Sequence, residues 1–140
     1  MTPEIQALWE RAHRALKSAR IVADSDPDSA ASRAYYAGFY AVSALLAFEG
    51  KSFRKHSALE AAVHRDLVKS GRWAAEVGAA FSDLAKTRMT ADHGALVRLT
   101  AKDAKTAIRN AALVIQAVRQ ASPEPLPKRI QQKRSKQGRG

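Results

Sequence analysis

Cysteine is absent from the chain, which excludes a disulfide framework and a thiolate metal site and suits a reducing compartment. Glycine is scarce, seven residues in 140, and no glycine-rich stretch offers the backbone cradle that nucleotide phosphates need. Long apolar runs are missing too. The first twenty residues, MTPEIQALWERAHRALKSAR, alternate charged and apolar positions and match neither a signal peptide nor a membrane span. A cytoplasmic protein without a membrane partner is therefore expected. The four histidines are His13, His56, His64 and His93, and no two lie four apart. His56 and His64 are about two helical turns apart, too far for one shared ion, so no metal site and no cofactor are expected. His13 and His64 stand among charged neighbours, which predicts solvated positions for both.

Acidic residues are outnumbered, thirteen against twenty-four basic ones, for a net charge of +11. Such a balance makes a polyanion the first partner to consider, because cationic surfaces bind nucleic acid by releasing counterions. The excess is unevenly spread. Residues 121–140 hold six Lys or Arg against one acid, and residues 1–120 hold eighteen against twelve. The last stretch, ASPEPLPKRIQQKRSKQGRG, has three prolines in alternate positions and almost no apolar residue after Ile130, so neither a core helix nor a strand is available to it. The organisation expected is one helical domain over 1–120 and a Pro-containing basic arm over 121–140. Lys128, Arg129, Lys133, Arg134, Lys136 and Arg139 of the arm, with Lys86 of the domain, are the candidate RNA-binding cations; a plain solubility tail is the competing reading. A chain of this length buries roughly two thirds of its unfolded surface in one core.

Alanine-rich composition and apolar residues recurring at i, i+3 and i+4 predict helices throughout and no sheet. The first runs from about Pro3 to Ala23 with Ile5, Leu8, Ala12, Leu16, Ala19 and Val22 on one face. Asp24-Ser-Asp-Pro-Asp28 ends it. Asp28 is expected to cap a second helix that reaches about Glu49, ahead of Gly50. A third spans about His56 to Val68, a fourth about Trp73 to Asp92, and a fifth opens at Thr100-x-x-Asp103, a capping-box pattern with Asp in place of Glu. Short connections join the five into an up-and-down bundle.

One segment carries a chemical pattern. In Lys86-Thr-Arg-Met-Thr-Ala-Asp-His-Gly94 an arginine and a histidine stand five positions apart near an expected helix end. On a continuous helix they would lie about 140° apart, so convergence within one chain requires a bend between them, for which Gly94 and the polar Asp92-His93 pair are the candidates. The two side chains suit RNA cleavage. An imidazole, titrating near a pH of about 6.5, takes a proton from a ribose 2′-hydroxyl, and a guanidinium grips the phosphate through two hydrogen bonds. An exposed arginine and a histidine at a helix C-terminus is the alternative reading of the same residues.

Ser32-Arg-Ala-Tyr-Tyr-Ala37, Ala44-Leu-Leu46, Lys55-His-Ser57, Leu67-Val-Lys-Ser-Gly71 and Arg88-x-x-Ala-Asp92 follow one another in the order and spacing of the HEPN superfamily, which the chain resembles over about residues 8–120. More narrowly it is similar to small prokaryotic HEPN proteins paired with a minimal nucleotidyltransferase as toxin and antitoxin. The resemblance implies a helical bundle that forms a homodimer. It implies that two R-x(4–6)-H motifs, here Arg88 and His93, meet in a cleft and cleave RNA without metal, leaving a 2′,3′-cyclic phosphate. Arg33 and His56 fall on recurring polar positions of that family and, with Asp83 and Asp92, are expected to support the cleft; burial of Arg33 against Asp83 or Asp92 is the structural alternative. Members of the narrower group often have tyrosine where this chain has His93. Where one branch carries a tyrosine that its partner adenylylates, this chain has Ala95. Tyr35, Tyr36 and Tyr40 suit either base stacking or packing.

Three function classes follow. The first is an endoribonuclease toxin acting through Arg88 and His93. The second is a non-catalytic HEPN module that binds a nucleotidyltransferase or a nucleotide. The third is a general nucleic-acid binder driven by the basic arm.

Overall fold

The computed structural model describes residues 1–94 and 96–128. Ala95 and the arm cations Arg129, Lys133, Arg134, Lys136 and Arg139 lie outside the described residues. The architecture is all-α, as the apolar spacing predicts: α1 (Pro3–Val22), α2 (Pro27–Ala47), α3 (His56–Ala62) running on into a π-helical turn (Val63–Val68), α4 (Ala75–His93) and α5 (Ala101–Ala121). Helix α1 starts where Thr2 accepts a hydrogen bond from the Ile5 N–H and Pro3 takes the first helical position. The buried stripe Ile5, Trp9, Ala12, Leu16 and Ala19 then lies on α2.

Helix α2 is the centre of the bundle and packs against α1, α4 and α5. Its alanines let the neighbouring helices approach closely, and Leu45, Leu46 and Val42 fill the space left with Trp9, Phe81, Leu84 and Val118. Each of these large side chains contributes about 1.5–3 kcal/mol on burial. Between α2 and α4 the contact is tight: a Cβ on Gly38 would stand 3.1 Å from Leu84 Cδ1.

Three expectations are corrected. The cap of α2 is Asp26, not Asp28; Pro27 occupies the first helical position, so the residue before it is the one placed to accept from the Ser29 N–H at 3.2 Å. Asp28 instead accepts the Leu99 N–H at 3.0 Å, tying the α4–α5 connection to the start of α2. Helix α4 begins at Ala75 because Trp73 is turned into the core and its backbone N–H is bonded to Leu67 O. The third helix widens into the π turn, closed by the Lys69 N–H on His64 O at 2.8 Å. The beginning of the basic arm is packed on the bundle. Leu126 is 5% exposed, and the Trp9 indole donates to Pro127 O at 3.0 Å. Proline removes this stretch from helix and sheet without keeping it off the bundle.

Candidate functional site

Arg88 sits in the last turns of α4 on the side that faces α2 and the start of α3. Its Nη1 donates to Asp92 Oδ2 at 3.3 Å and its Nη2 to His56 Nδ1 at 3.1 Å. The guanidinium carbon stands 5.1 Å from the Tyr35 ring centre and 5.8 Å from that of Tyr36. An arginine has no acceptor to offer, so the bond to His56 requires an unprotonated Nδ1 and places the imidazole proton on Nε2. Burial, and then the positive charge of Arg88, hold His56 below the ordinary imidazole range, which favours that neutral form. The ring is fixed by Tyr35, Tyr36 and Phe39, the last with ring centres 4.8 Å apart. Tyr35 is buried, and burial pushes its hydroxyl up to about 12. Its ring packs against the Arg88 guanidinium.

The expected bend between Arg88 and His93 is absent. Helix α4 continues through His93, and the Gly94 N–H still bonds to Thr90 O at 2.9 Å. The two side chains therefore stay on different faces of one helix. His93 is exposed and lines a shallow pocket of about 240 Å³ with Asp28, Asp92 and Arg98. Asp92 is common to both halves, receiving Arg88 on one side and edging the His93 pocket on the other.

The remaining candidates divide. His56 joins Arg88 directly. Arg33 is exposed on α2 and, among the described residues, forms no ion pair with Asp83 or Asp92, so the alternative of its burial against either carboxylate does not hold. Asp83 is exposed one face away, and Lys86 turns toward α5, lining a groove with Thr90, Leu99 and Asp103. Lys128 stands beside Arg20 and Arg119, away from Arg88. Tyr36 and Tyr40 are half-buried, and Tyr40 lies under Arg11, whose guanidinium carbon is 4.5 Å from its ring centre. Arg98 and Phe39 carried no sequence signal of a site; Arg98 is brought to His93 only by the α4–α5 connection. His13 and His64 are half-buried and not solvated as expected: His64 Nε2 is 2.9 Å from Ser82 Oγ, and His13 packs edge-on against Trp9 with ring centres 4.8 Å apart.

The fold is a helical bundle in which Arg88 of α4 is held by Asp92, by His56 of α3 and by the α2 tyrosines, and sequence comparison gives its family. The HEPN domain model matches residues 5–121, and the chain belongs to that family. It is 38% identical over 112 residues to a UPF0332 protein of Thermotoga maritima, covering 79% of this chain and 85% of that one. It is 35% identical to the UPF0332 protein glr0978 of Gloeobacter violaceus, covering 83% and 94%. A protein of Methanocaldococcus jannaschii named "Putative toxin MJ0142" is 28% identical over 73% of this chain and 70% of its own. Among the described residues no helix is long and apolar enough to cross a membrane.

Proposed function

We propose that the chain is a metal-independent endoribonuclease of toxin type, acting on RNA in the cytosol through Arg88 and His93 in a cleft between two copies. The observation that carries this reading is that α4 carries, within one helical turn and a half, a guanidinium held by His56 and Asp92 and, on another face, an exposed imidazole, in a HEPN chain related to a protein named for toxicity. A straight α4 keeps the two groups apart within one copy, so a second copy is what completes the arrangement. Exposed Met89, Leu96 and Val97, which flank His93, offer the apolar surface for it.

In the reaction, an imidazole removes the 2′-hydroxyl proton, the 2′ oxygen attacks the adjacent phosphorus, and the bond to the 5′ oxygen breaks. The products are a 2′,3′-cyclic phosphate and a 5′-hydroxyl, the leaving oxygen taking its proton from the second imidazole of the cleft. Arg88, pre-oriented by His56 and Asp92, offsets charge on the phosphorane. The arm cations and Lys86 add backbone attraction. A nucleotidyltransferase is the antitoxin partner that the family resemblance supports.

The test is cleavage of a model RNA in EDTA. The wild-type chain is expected to be dimeric by light scattering and active, His93→Ala to lose about 10² to 10⁴ in rate, and Arg88→Lys to fail, because a point charge cannot replace the planar fork. DNA should stay uncut. Wild-type rates in His93→Ala, or 3′-hydroxyl products, would sink the reading. The separation of Arg88 and His93 on one straight helix favours the alternative of a non-catalytic module that binds the nucleotidyltransferase; that outcome is a wild-type chain that leaves RNA intact while forming the complex.

A further inference from the structure

On the flank of α1 that faces α5, away from Arg88, the surface opens into a groove of about 380 Å³. Arg20, Arg119 and Lys128 reach it, no carboxylate among the described residues lines it, and its apolar wall is Leu16, Ala112 and Ile115. Each cation arrives by a different route. Arg20 comes from the last turn of α1. Arg119, near the end of α5, is held still: its Nε donates to Leu126 O at 3.2 Å and its Nη1 to Gln116 Oε1 at 2.8 Å, leaving Nη2 with no partner among the described residues. Lys128 is delivered by the packed stretch that Leu126 and the Trp9 indole anchor. Among the described residues neither Arg20 nor Lys128 forms an ion pair.

Three uncompensated cations around one concavity repel one another and focus positive potential into it, and an anion relieves both effects. His13 stands in the same wall. Its Nε2 is buried without a partner among the described residues, and burial together with the charges of Arg119 and Arg20 holds the ring below the ordinary imidazole range. The volume exceeds what a bare phosphate needs and falls within the range of small-molecule sites, roughly 300–1,000 Å³. A phosphate monoester carries a charge of about −1.5 to −2, against one for the diester of an RNA backbone, and so matches the three cations better.

We propose that the α1–α5 groove binds a small organic phosphate monoester, with the phosphate among Arg20, Arg119 and Lys128 and the carbon skeleton on Leu16, Ala112 and Ile115. The site is distinct from the Arg88 cluster and does not depend on RNA cleavage. AMP, adenosine, inorganic phosphate and a short 5′-hydroxyl RNA are titrated into the full chain at low salt, followed by calorimetry and by the NMR signals of the His13 ring. AMP should saturate at a Kd of about 1 mM or below, shift the His13 signals and raise the pH midpoint of that ring. Inorganic phosphate should bind more weakly than AMP, and adenosine not at all. Arg20→Gln and Lys128→Gln, both at exposed positions, should each weaken AMP by about tenfold, the loss of one charge-assisted contact. The proposal is overturned if adenosine or inorganic phosphate binds as well as AMP, if AMP leaves the His13 signals in place, if the two variants bind AMP like wild type, or if the 5′-hydroxyl RNA moves the His13 signals as AMP does.

Discussion

Two histidines of this chain have their proton affinity lowered by the same pair of forces. At His56 burial acts first and Arg88 second; at His13 burial is joined by Arg119 and Arg20. Both rings therefore take up a proton less readily in the folded chain than in the unfolded one. The unfolded state binds more protons as pH falls below the free imidazole value of about 6.5, so the stability these rings contribute is complete above that pH and is lost below it as the folded values are approached. The melting temperature should fall between pH 7.5 and pH 5, well before the carboxylates titrate. His13→Gln and His56→Gln should each flatten that slope, measured against wild type by calorimetric scans at fixed ionic strength. An unchanged slope in both variants would show that the acid sensitivity arises elsewhere. At this scale the sequence offers candidate residues and is silent about whom they touch. His56 was named through the family resemblance, but its partner Arg88 lies 32 positions away, and no local pattern announces so distant a bond.

At the scale of elements, periodicity carried most of the fold, because α1 and α5 each bury one apolar stripe and expose the opposite face. Helix α2 read less cleanly, since alanine on nearly every side is compatible with burial on any face. The π turn could not be read at all. It depends on how Val63–Val68 meets α4, and there a single residue sets the distance: a Cβ on Gly78 would stand 2.6 Å from Val68 Cγ2 and 3.5 Å from His64 Nδ1. Val68 is β-branched and has little rotamer freedom with which to move away. Gly78→Ala gains about 0.5–1 kcal/mol in helix propensity and loses about 1–3 kcal/mol to overpacking, so the clash wins. The substitution should lower the unfolding midpoint in urea without changing its slope and disturb the His64–Ser82 contact, visible as a shift of the His64 ring resonance. A stabilised Gly78→Ala variant would mean that the π turn yields freely.

For the whole molecule, the basic arm is two things joined near Lys128. Its first part is structural: Leu126 is buried, and Pro127 O satisfies the Trp9 indole. Its continuation carries five of the six arm cations and no acid, so a chain ending at Lys128 falls from +11 to +6. Two truncations separate the roles. Ending the chain after Ala121 exposes the Leu126 site and leaves the buried indole N–H without a partner, costs of about 1.5–3 kcal/mol and about 1–3 kcal/mol, and should lower the melting temperature sharply. Ending it after Lys128 keeps both contacts and should leave the melting temperature close to wild type. If the arm holds RNA through its phosphates, the shorter cut should weaken binding and flatten the dependence of log K on log salt by about 0.7 for each contact removed. The cleavage pattern on a model RNA should stay the same, because counterion release is blind to base sequence. A pattern altered by removal of residues 129–140 alone would mean that the arm reads bases, and a salt slope unchanged by that removal would mean that the cations of the bundle hold the RNA without it.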